Sequence, residues 1–385
     1  MAEGKSFDCI VVGLGTMGSA ACYYLAKRGF RVLGLEQFEV SHSEGSHAGQ
    51  SRIIRKAYYE HPDYVPLLER AYENWSQIEE EADMKIYHRT GLLYLGQAGS
   101  DVMSGVRRSA LEHKVTVEEW SRADLKKRYP PFTPASDFQI LFEPDAGFVT
   151  PERAILSYVQ AAMTHSASIH TNERVLSWEP IGQLIRVITP RSQYTTKRLI
   201  FTSGAWTSKL IQLPVNLKVT RQTVAWMNPP KHADFMLGNF PCWFTELPGI
   251  GSIYGFPILP VGRFGGPVGL KLAHHKAQLE VDADKVDRTM DQNHVDELRT
   301  FLKTYIPGGD GDPLAVRTCL YTYSPDEHFI VDHLPGTSGH VTIACGFSGH
   351  GYKFASVIGE ILADLAMEGK TKLPYDFLKL DRFAS

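Results

Sequence analysis

The pattern of apolar and polar positions predicts a strand–loop–helix–strand unit at the start of the chain. Residues 8–12 form a short, apolar, β-branched run, which is typical of a buried parallel strand. A glycine-rich loop follows, then a helical pattern over residues 19–28 and a second apolar run over residues 31–35. This order of elements is the opening unit of a doubly wound parallel sheet.

The rest of the chain alternates between helical and extended patterns around a β-rich middle. Helices are predicted over residues 66–82, 151–165 (with Thr150 as N-cap), 286–305 and 354–367, and within a charged stretch that ends near residue 128. Strands are predicted over residues 90–95, 198–203, 219–227, 253–256, 269–272 and 341–344. The segment 41–58 reads as a loop that leads into a short helix.

Length and charge narrow the class of protein. A chain of 385 residues exceeds the size at which one hydrophobic core stops growing, so two domains are expected. The formal net charge of -3 gives no basic field for a phosphate backbone, which argues against nucleic acid as a partner. No run approaches the ~20 apolar residues of a membrane span, so no membrane partner is expected either.

Cysteine usage and the chain ends predict a cytoplasmic location. The five cysteines are unevenly spaced and include no CxxC pair, so neither a disulfide framework nor a zinc site is predicted. The N-terminal apolar run is too short for a signal peptide, and the last residues do not form a peroxisomal signal.

The loop after the first strand carries the first candidate chemistry. Gly13, Gly15 and Gly18 have the spacing G-x-G-x-x-G, which permits a tight turn, a close approach to a pyrophosphate and tight helix packing. Glu36 ends the next strand, where a carboxylate accepts hydrogen bonds from a ribose. Together they predict dinucleotide binding, but they fit NAD as well as FAD.

Four further segments favour FAD. They are GSHAGQSRIIR at residues 45–55, YGFP at 254–257, CLYT with PDEHFI at 319–330, and GFSGHGYKF at 346–354. With the first loop, they resemble the monomeric sarcosine oxidase family of flavoproteins, which includes oxidases of N-methyltryptophan, pipecolate and fructosyl amino acids. The resemblance runs from the first strand to the last helix.

The resemblance implies an α/β (α+β two-domain) fold. A Rossmann-like FAD-binding domain, built from discontinuous segments, would comprise residues 1–85, 145–218 and 320–385. A substrate domain with a mixed antiparallel sheet would comprise residues 86–144 and 219–319.

The activity implied is oxidation of a secondary (N-methyl) amino acid. Sarcosine would react with O2 and water to give glycine, formaldehyde and hydrogen peroxide, and the enzyme would be a monomer. N-methyltryptophan, pipecolate or a fructosyl amino acid remain alternative substrates. A nicotinamide-dependent dehydrogenase and a non-catalytic flavin-binding module are less favoured.

The resemblance also assigns roles to cationic residues and a cysteine. Cys319 matches the cysteine that joins FAD through its 8α-methyl, with Cys345 as a rival attachment site. Arg52 would lie beside the flavin ring, while Arg55 and Lys353 would hold the substrate carboxylate. Arg52 and Arg55 are three residues apart, so on a helix they would share one face.

Lys271 matches the family lysine that promotes reoxidation by oxygen, and His275 the histidine near the substrate amine. His274 is the alternative to His275, and a metal site at this pair is not predicted. Tyr254 and Tyr321 would wall the pocket or belong to the core.

Two departures from the family pattern and a set of implied cofactor contacts complete the prediction. Ala48 stands where the family commonly has a second histidine, and residues 258–269 form a longer stretch expected beside the substrate. The cofactor contacts implied are Gly13, Gly15, Thr16, Met17, Gly18, Glu36, Gln37, Ser46, His47, Ser51, Arg52, Val175, Ser203, Gly204, Trp206, Cys319, Gly346, Phe347, Gly349, His350, Gly351 and Lys353.

Overall fold

The computed structural model describes residues 6–275 and 279–384, which contain nineteen strands. In chain order these are β1 (Ser6–Val12), β2 (Val32–Leu35), β3 (Arg52–Ile54), β4 (Tyr87–Arg89), β5 (Leu92–Gln97), β6 (Glu118–Glu119), β7 (Phe138–Glu143), β8 (Gly147–Val149), β9 (Ser168–His170), β10 (Ser177–Ile181), β11 (Leu184–Ile188), β12 (Gln193–Phe201), β13 (Lys218–Met227), β14 (Cys242–Leu247), β15 (Gly251–Phe256), β16 (Leu270–His275), β17 (Pro313–Tyr323), β18 (Ile330–His333) and β19 (Val341–Cys345).

Nine α-helices lie in the same described ranges. They are α1 (Thr16–Lys27), α2 (Tyr64–Ala82), α3 (Asp101–His113), α4 (Arg122–Arg128), α5 (Pro151–Thr164), α6 (Thr207–Leu210), α7 (Val261–Phe264), α8 (Gln292–Tyr305) and α9 (Ala355–Glu368). No helix of this part of the chain is both long and apolar enough to cross a bilayer.

The first sheet has the order β10-β11-β12-β1-β2-β9, and β12 also pairs with β19, which pairs with β18. Its centre is parallel, because β1 lies between β2 and β12 and all three run in one direction. All four residues of β2 are buried, as expected for a parallel strand covered on both faces. Helices α1, α5 and α9 pack together against this sheet and form its main apolar core.

The second sheet has the order β17-β13-β16-β15-β14-β5-β7-β6 and is antiparallel except where β14 pairs with β5. Side chains alternate along each strand, so its two faces bury different residues. One face packs on α8, where the rings of Trp243 and Phe301 stack with centroids 5.2 Å apart. The opposite face carries Tyr254, Lys271, His275, Cys319 and Tyr321.

A small sheet of order β3-β8-β4 joins the segment after the loop 41–51 to the rest of the fold. The predicted short helix is therefore wrong, because residues 52–54 pair with β8 in an antiparallel strand. Arg52 and Arg55 consequently do not share a helix face.

Two other local predictions change in detail. Helix α8 begins at Gln292 rather than at residue 286, with Asp291 as the N-cap whose side chain accepts from the backbone N–H of His294. Thr150 does occupy the N-cap position of α5, but its hydroxyl donates to the carbonyl of Ile86 instead of capping the helix.

The division into two domains stays a prediction, although sheet membership follows it closely. Every strand of the first sheet lies within the predicted FAD-binding segments, and the second sheet falls almost wholly in the others. The predicted ranges also include residues 1–5, 276–278 and 385, which lie outside the described residues.

The contact between α1 and α9 requires a small residue at position 359. A methyl group on Gly359 would lie 2.7 Å from the carbonyl carbon of Ala20. We expect Gly359→Ala to lower the free energy of unfolding by about 1–3 kcal/mol because it overpacks this contact. Urea denaturation measures the change.

The matched control is Gly99→Ala, because the added methyl group would meet no atom within 4 Å. Its free energy of unfolding should change by less than about 0.5 kcal/mol. Equal stability of the two variants would contradict the close approach of α1 and α9.

Candidate active site

A long cleft opens where the carboxyl ends of the parallel strands meet. Gly13 follows β1, Glu36 follows β2, Ser203 lies just beyond β12 and Gly346 follows β19. All four line the cleft, which encloses about 1280 Å³. Ligands of doubly wound sheets bind at this edge because the connections diverge there.

Most of the predicted cofactor residues are brought together in this cleft. It is lined by Gly13, Gly15, Thr16, Met17, Glu36, Gln37, Ser46, His47, Arg52, Val175, Ser203, Gly204, Trp206, Gly346, Phe347, Gly349 and Gly351. Of the remaining predictions, Gly18 packs against the carbonyl of Gly13, and Ser51 contacts Lys271. His350 and Lys353 line a neighbouring chamber.

Glu36 is held in the cleft by the backbone. One carboxylate oxygen accepts from the N–H of Leu14 at 2.8 Å and the other from the N–H of Phe38 at 3.0 Å. The residue is only 4% exposed, so its orientation is fixed before any ligand binds. The nearby first turn of α1 has no side-chain cap, which leaves its N–H groups directed at the cleft.

His47 gives an independent sign that the cleft is built for a polar ligand. Its ring is buried, and its Nε2 has no hydrogen-bond partner among residues 6–275 and 279–384. Burial lowers the pKa of His47 to about 4, so the ring is neutral near pH 7. A buried polar atom without a partner is costly, and a hydrogen-bonding cofactor such as FAD would satisfy it.

A smaller chamber of about 450 Å³ adjoins the cleft. Four residues line both cavities: Arg52, Tyr321, Gly349 and Tyr352. The other residues of the chamber are Ile53, Arg55, Glu60, Phe244, Tyr254, His275, His350 and Lys353. Thus all four predicted substrate-binding residues lie in one cavity.

Arg55 is fixed by an ion pair. Its guanidinium donates to both oxygens of Glu60 at 2.7 Å and lies 4.2 Å and 4.5 Å from the ring centroids of Tyr58 and Tyr59. Burial raises the pKa of Glu60, but the charges of Arg55, His350 and Lys353 and the hydrogen bonds from Arg55 together outweigh burial and hold that pKa at about 2. Both groups are therefore charged at neutral pH.

Lys353 supplies the second cation of the chamber. Its Nζ donates to the carbonyl of His350 at 2.7 Å, and the residue is only 5% exposed. Burial and the charge of Arg55 lower the pKa of Lys353 to about 7. Its ammonium is thus partly deprotonated near neutral pH until an anion arrives.

Side chains alternate between the two faces of β16, and this alternation shows which of the two histidines faces the chamber. His275 faces the chamber, with its ring 5.6 Å from Phe244 and 6.1 Å from Tyr254. His274 points to the other face, where its Nε2 lies 3.1 Å from Glu297 of α8. Burial lowers the pKa of His275 to about 4, so this ring is neutral near pH 7.

Lys271 and Arg52 both bind the backbone of the loop that precedes β3. The Nζ of Lys271 donates to the carbonyls of Gly49 at 2.5 Å and Ser51 at 2.6 Å. Arg52 donates to the carbonyls of Ser46, Ala48 and Ser51 at 2.9, 2.7 and 2.9 Å. Burial, and then the charge of Arg52, hold the pKa of Lys271 well below its usual value.

Cys319 is buried beside the cleft. Its sequence neighbours Leu320, Tyr321 and Thr322 line the cleft, whereas Cys319 is not among the described lining residues. Burial raises the pKa of the thiol, and the charges of Arg52, Lys271 and Arg288 oppose that rise. Arg317, which is closest in sequence, instead lies 5.9 Å from the ring centroid of Trp226.

The segment 258–269 is the one predicted neighbour of the substrate that lies elsewhere. None of its described residues lines the chamber. It packs on the loop before β3, where the side chain of Gln50 donates to the carbonyl of Gly265. These residues therefore lie against the loop before β3 and do not line the chamber.

Several site residues carry no signal in the sequence. Glu60 and Phe244 line the chamber, and Glu173 and Lys209 line the cleft. They belong to no motif, and only the pairing of strands and packing of helices brings them to the site. The adjacency of Glu60 to the segment 45–55 is the one hint available.

The family model described as DAO, FAD dependent oxidoreductase, matches residues 8–365. The chain belongs to this family of FAD-dependent oxidoreductases. The neutral His47 and the open N-terminus of α1 in the cleft are compatible with this cofactor. The predicted α/β fold and FAD cofactor are confirmed.

Named relatives extend the similarity over the whole chain. The chain is 36% identical over 383 residues to "Monomeric sarcosine oxidase" of Streptomyces avermitilis, covering 99% of this chain and 98% of the relative. It is 38% identical over 382 residues to the protein of the same name from Bacillus sp. strain B-0618, covering 98% and 96%. It is 34% identical to "N-methyl-L-tryptophan oxidase" of Citrobacter koseri over 382 residues, covering 98% and 99%.

The similarity of the fold reaches beyond these relatives. NikD, described as an unusual amino acid oxidase essential for nikkomycin biosynthesis, superposes with a TM-score of 0.84. The match covers 97% of each chain at 22% identity, and it supports the two-sheet FAD oxidoreductase fold alone.

The titration of Lys353 makes carboxylate binding depend on pH. Lys353 is protonated below its pKa of about 7, whereas His275 and Glu60 titrate far lower, at about 4 and 2. We expect the dissociation constant of a carboxylate without an amine, such as propionate, to rise about tenfold between pH 6 and pH 9, because one charge-assisted hydrogen bond is lost. Isothermal titration calorimetry of the FAD-loaded protein measures this.

Lys353→Met is the control for that titration. It should bind propionate more weakly at pH 6 and show no change between pH 6 and pH 9. A dissociation constant of the unaltered protein that is independent of pH in this range would contradict the role of Lys353.

Proposed function

We propose that this protein is a flavin-dependent oxidase of secondary (N-methyl) amino acids, with sarcosine as the best substrate. The observation that carries the proposal is the small chamber with two cations, Arg55 and Lys353, that shares its wall with the cofactor cleft. Such a chamber suits a small anion that must meet the cofactor. The names of the relatives support the same chemistry.

Arg55 and Lys353 bind the substrate carboxylate in this proposal. Both oxygens of Glu60 already accept from Nη2 of Arg55, while Nη1 donates to the carbonyl of Ala57, so Glu60 competes with a weakly bound anion. A bound carboxylate raises the pKa of Lys353 and completes its protonation. The two cations thereby fix one end of the substrate, and the amine end extends toward Arg52.

His275 orients the amine. Because its pKa is about 4, the ring is neutral near pH 7 and can accept a hydrogen bond from the substrate N–H. A neutral ring also avoids repelling a substrate amine that still carries its proton. The aromatic rings of Tyr254 and Tyr321 exclude water from the same volume.

The residues that line the long cleft hold FAD, which when bound accepts the two electrons removed from the substrate. Lys271 then stabilises negative charge on oxygen as it is reduced to hydrogen peroxide, in the role that a buried cation can fill. Release of the peroxide, a monomeric state and a cytoplasmic location belong to this proposal.

The size of the chamber favours sarcosine over the bulkier alternatives. Phe244 closes the wall between Tyr59 and His275, with ring centroids 5.5 Å and 5.6 Å away. We therefore expect kcat/KM for sarcosine to exceed that for N-methyltryptophan, pipecolate and a fructosyl amino acid by about tenfold or more, since a clash costs over 1.4 kcal/mol. A peroxide assay across the four substrates measures the ranking.

Phe244→Ala provides the matched comparison. Removing this ring should raise kcat/KM for N-methyltryptophan relative to sarcosine, because the wall recedes. No peroxide from sarcosine in the unaltered protein would reject the first choice of substrate. An unchanged ratio in the variant would reject Phe244 as the limit on substrate size.

We further propose that FAD is attached covalently to Cys319. Three cations surround the thiol and favour its anion, although burial opposes them. We expect the yellow chromophore to remain in the pellet when the protein is precipitated with acid. Cys319→Ser should release it entirely into the supernatant.

Cys345→Ser is the control, since Cys345 is also buried, near the turn at Gly346, and among the described cations only the charge of Arg382 acts on its thiol. It should keep the chromophore in the pellet. A chromophore that is found in the supernatant of the unaltered protein would rule out covalent attachment, without affecting the proposed oxidase activity.

A further inference from the structure

The ammonium of Lys271 donates to uncharged oxygens of the loop before β3. Besides the carbonyls of Gly49 and Ser51, it contacts Ser51 Oγ at 3.1 Å, and the residue is 2% exposed. No carboxylate of residues 6–275 and 279–384 forms an ion pair with it. The position of this cation therefore depends on the loop that supplies the carbonyls.

That loop has an unfavourable backbone conformation. Gly49 has φ +121° and Gln50 has φ +66°, which places two successive residues in the left-handed region. A non-glycine residue there costs on the order of 1 kcal/mol and needs support from its surroundings. The carbonyls of Gly49 and Ser51 point at one atom only while this conformation persists.

Glu152 supplies the support. It lies in the first turn of α5, and its Oε1 accepts from the N–H of Gly49 at 2.7 Å and the N–H of Gln50 at 3.1 Å. Burial raises the pKa of Glu152, but the hydrogen bonds from these N–H groups and the charge of Arg52 together lower it by more. The carboxylate is therefore ionised at neutral pH. One oxygen thus fixes the loop and adds a negative charge.

We propose that Glu152 is a positioning residue for Lys271: it clamps the amides of Gly49 and Gln50, and its charge offsets that of Arg52 at the lysine. This inference rests on the proposed function, in which the lysine assists the reduction of oxygen. Glu152 lies on α5 and lines neither the substrate chamber nor the cofactor cleft.

The charges around Lys271 support an effect on its protonation. Burial lowers the pKa of Lys271, and the charge of Arg52 lowers it further. Glu152 raises it, followed by smaller contributions from the thiols of Cys319 and Cys242. Glu152 is the one carboxylate in this set.

Two variants separate the clamp from the charge. Glu152→Gln keeps an oxygen that can accept from both amides but removes the charge, whereas Glu152→Ala removes both. Glu360→Gln is the matched control, because Glu360 is a partly buried carboxylate that accepts from Arg70 and Asn74 on a distant helix pair. All are studied as FAD-loaded proteins.

The first measurements do not use catalysis. Hydrogen–deuterium exchange of the peptide that contains Gly49 and Gln50 should accelerate about tenfold or more in Glu152→Ala, because a buried hydrogen bond is lost, and change little in Glu152→Gln. NMR titration of ¹³Cε-labelled lysine should show the pKa of Lys271 about one unit lower in Glu152→Gln. The control should match the unaltered protein in both.

The second measurement follows flavin reoxidation after chemical reduction, without any amine substrate, from pH 6 to pH 10. The rate profile of Glu152→Gln should move to lower pH by the same amount as the lysine titration, so that above both pKa values the rate falls about tenfold. The inference is overturned if exchange is unchanged in Glu152→Ala, or if the lysine titration is unchanged in Glu152→Gln.

Failure of the proposed function gives a different result. If Lys271→Met is reoxidised as fast as the unaltered protein, the lysine does not assist oxygen reduction. The exchange and titration measurements still decide whether Glu152 positions the lysine.

Discussion

The burial of several cations in one small region constrains the rest of this structure. Arg55, Lys271 and Lys353 are each 5% exposed or less, and Arg52 is half-buried beside them. Removing a charge from water is costly unless hydrogen bonds replace the water. The fold provides these bonds mainly from backbone carbonyls, which replace part of the lost hydration, and burial still lowers the pKa of both Lys271 and Lys353.

Cations that are bound by backbone carbonyls rather than by carboxylates fit an anionic ligand. Of the four cations, only Arg55 makes a close ion pair with a carboxylate of the described part of the chain, that of Glu60. The other three donate to carbonyls of the loop before β3 or of the turn before α9. The site therefore keeps an excess of positive charge for a substrate carboxylate and for negative charge that develops on oxygen.

Each of the two sheets supplies a different part of this site. The first sheet ends in the turns that line the cleft, where the α1 N-terminus and Glu36 are held by short backbone contacts. On one face of the second sheet, Lys271 and His275 lie on the same strand, two side-chain repeats apart. The loop 45–51 connects the two, since both Arg52 and Lys271 bind its carbonyls.

The sequence alone determined the local and contiguous features of this protein. The first βαβ unit and a dinucleotide site at its glycine loop follow from patterns that span a few residues, because glycine spacing and apolar runs report on backbone geometry nearby. The choice of FAD and most of the cleft residues came from the resemblance of several motifs along the chain to a known family. The choice of His275 over His274, the strand at Arg52 and the roles of Glu60, Phe244 and Glu152 were decided only by tertiary structure. Most of them depend on strand pairing and on contacts between residues that lie far apart in the chain, which no local pattern encodes. Glu60 is close to Arg55 in sequence, but the backbone between them had to be known before the ion pair could be predicted.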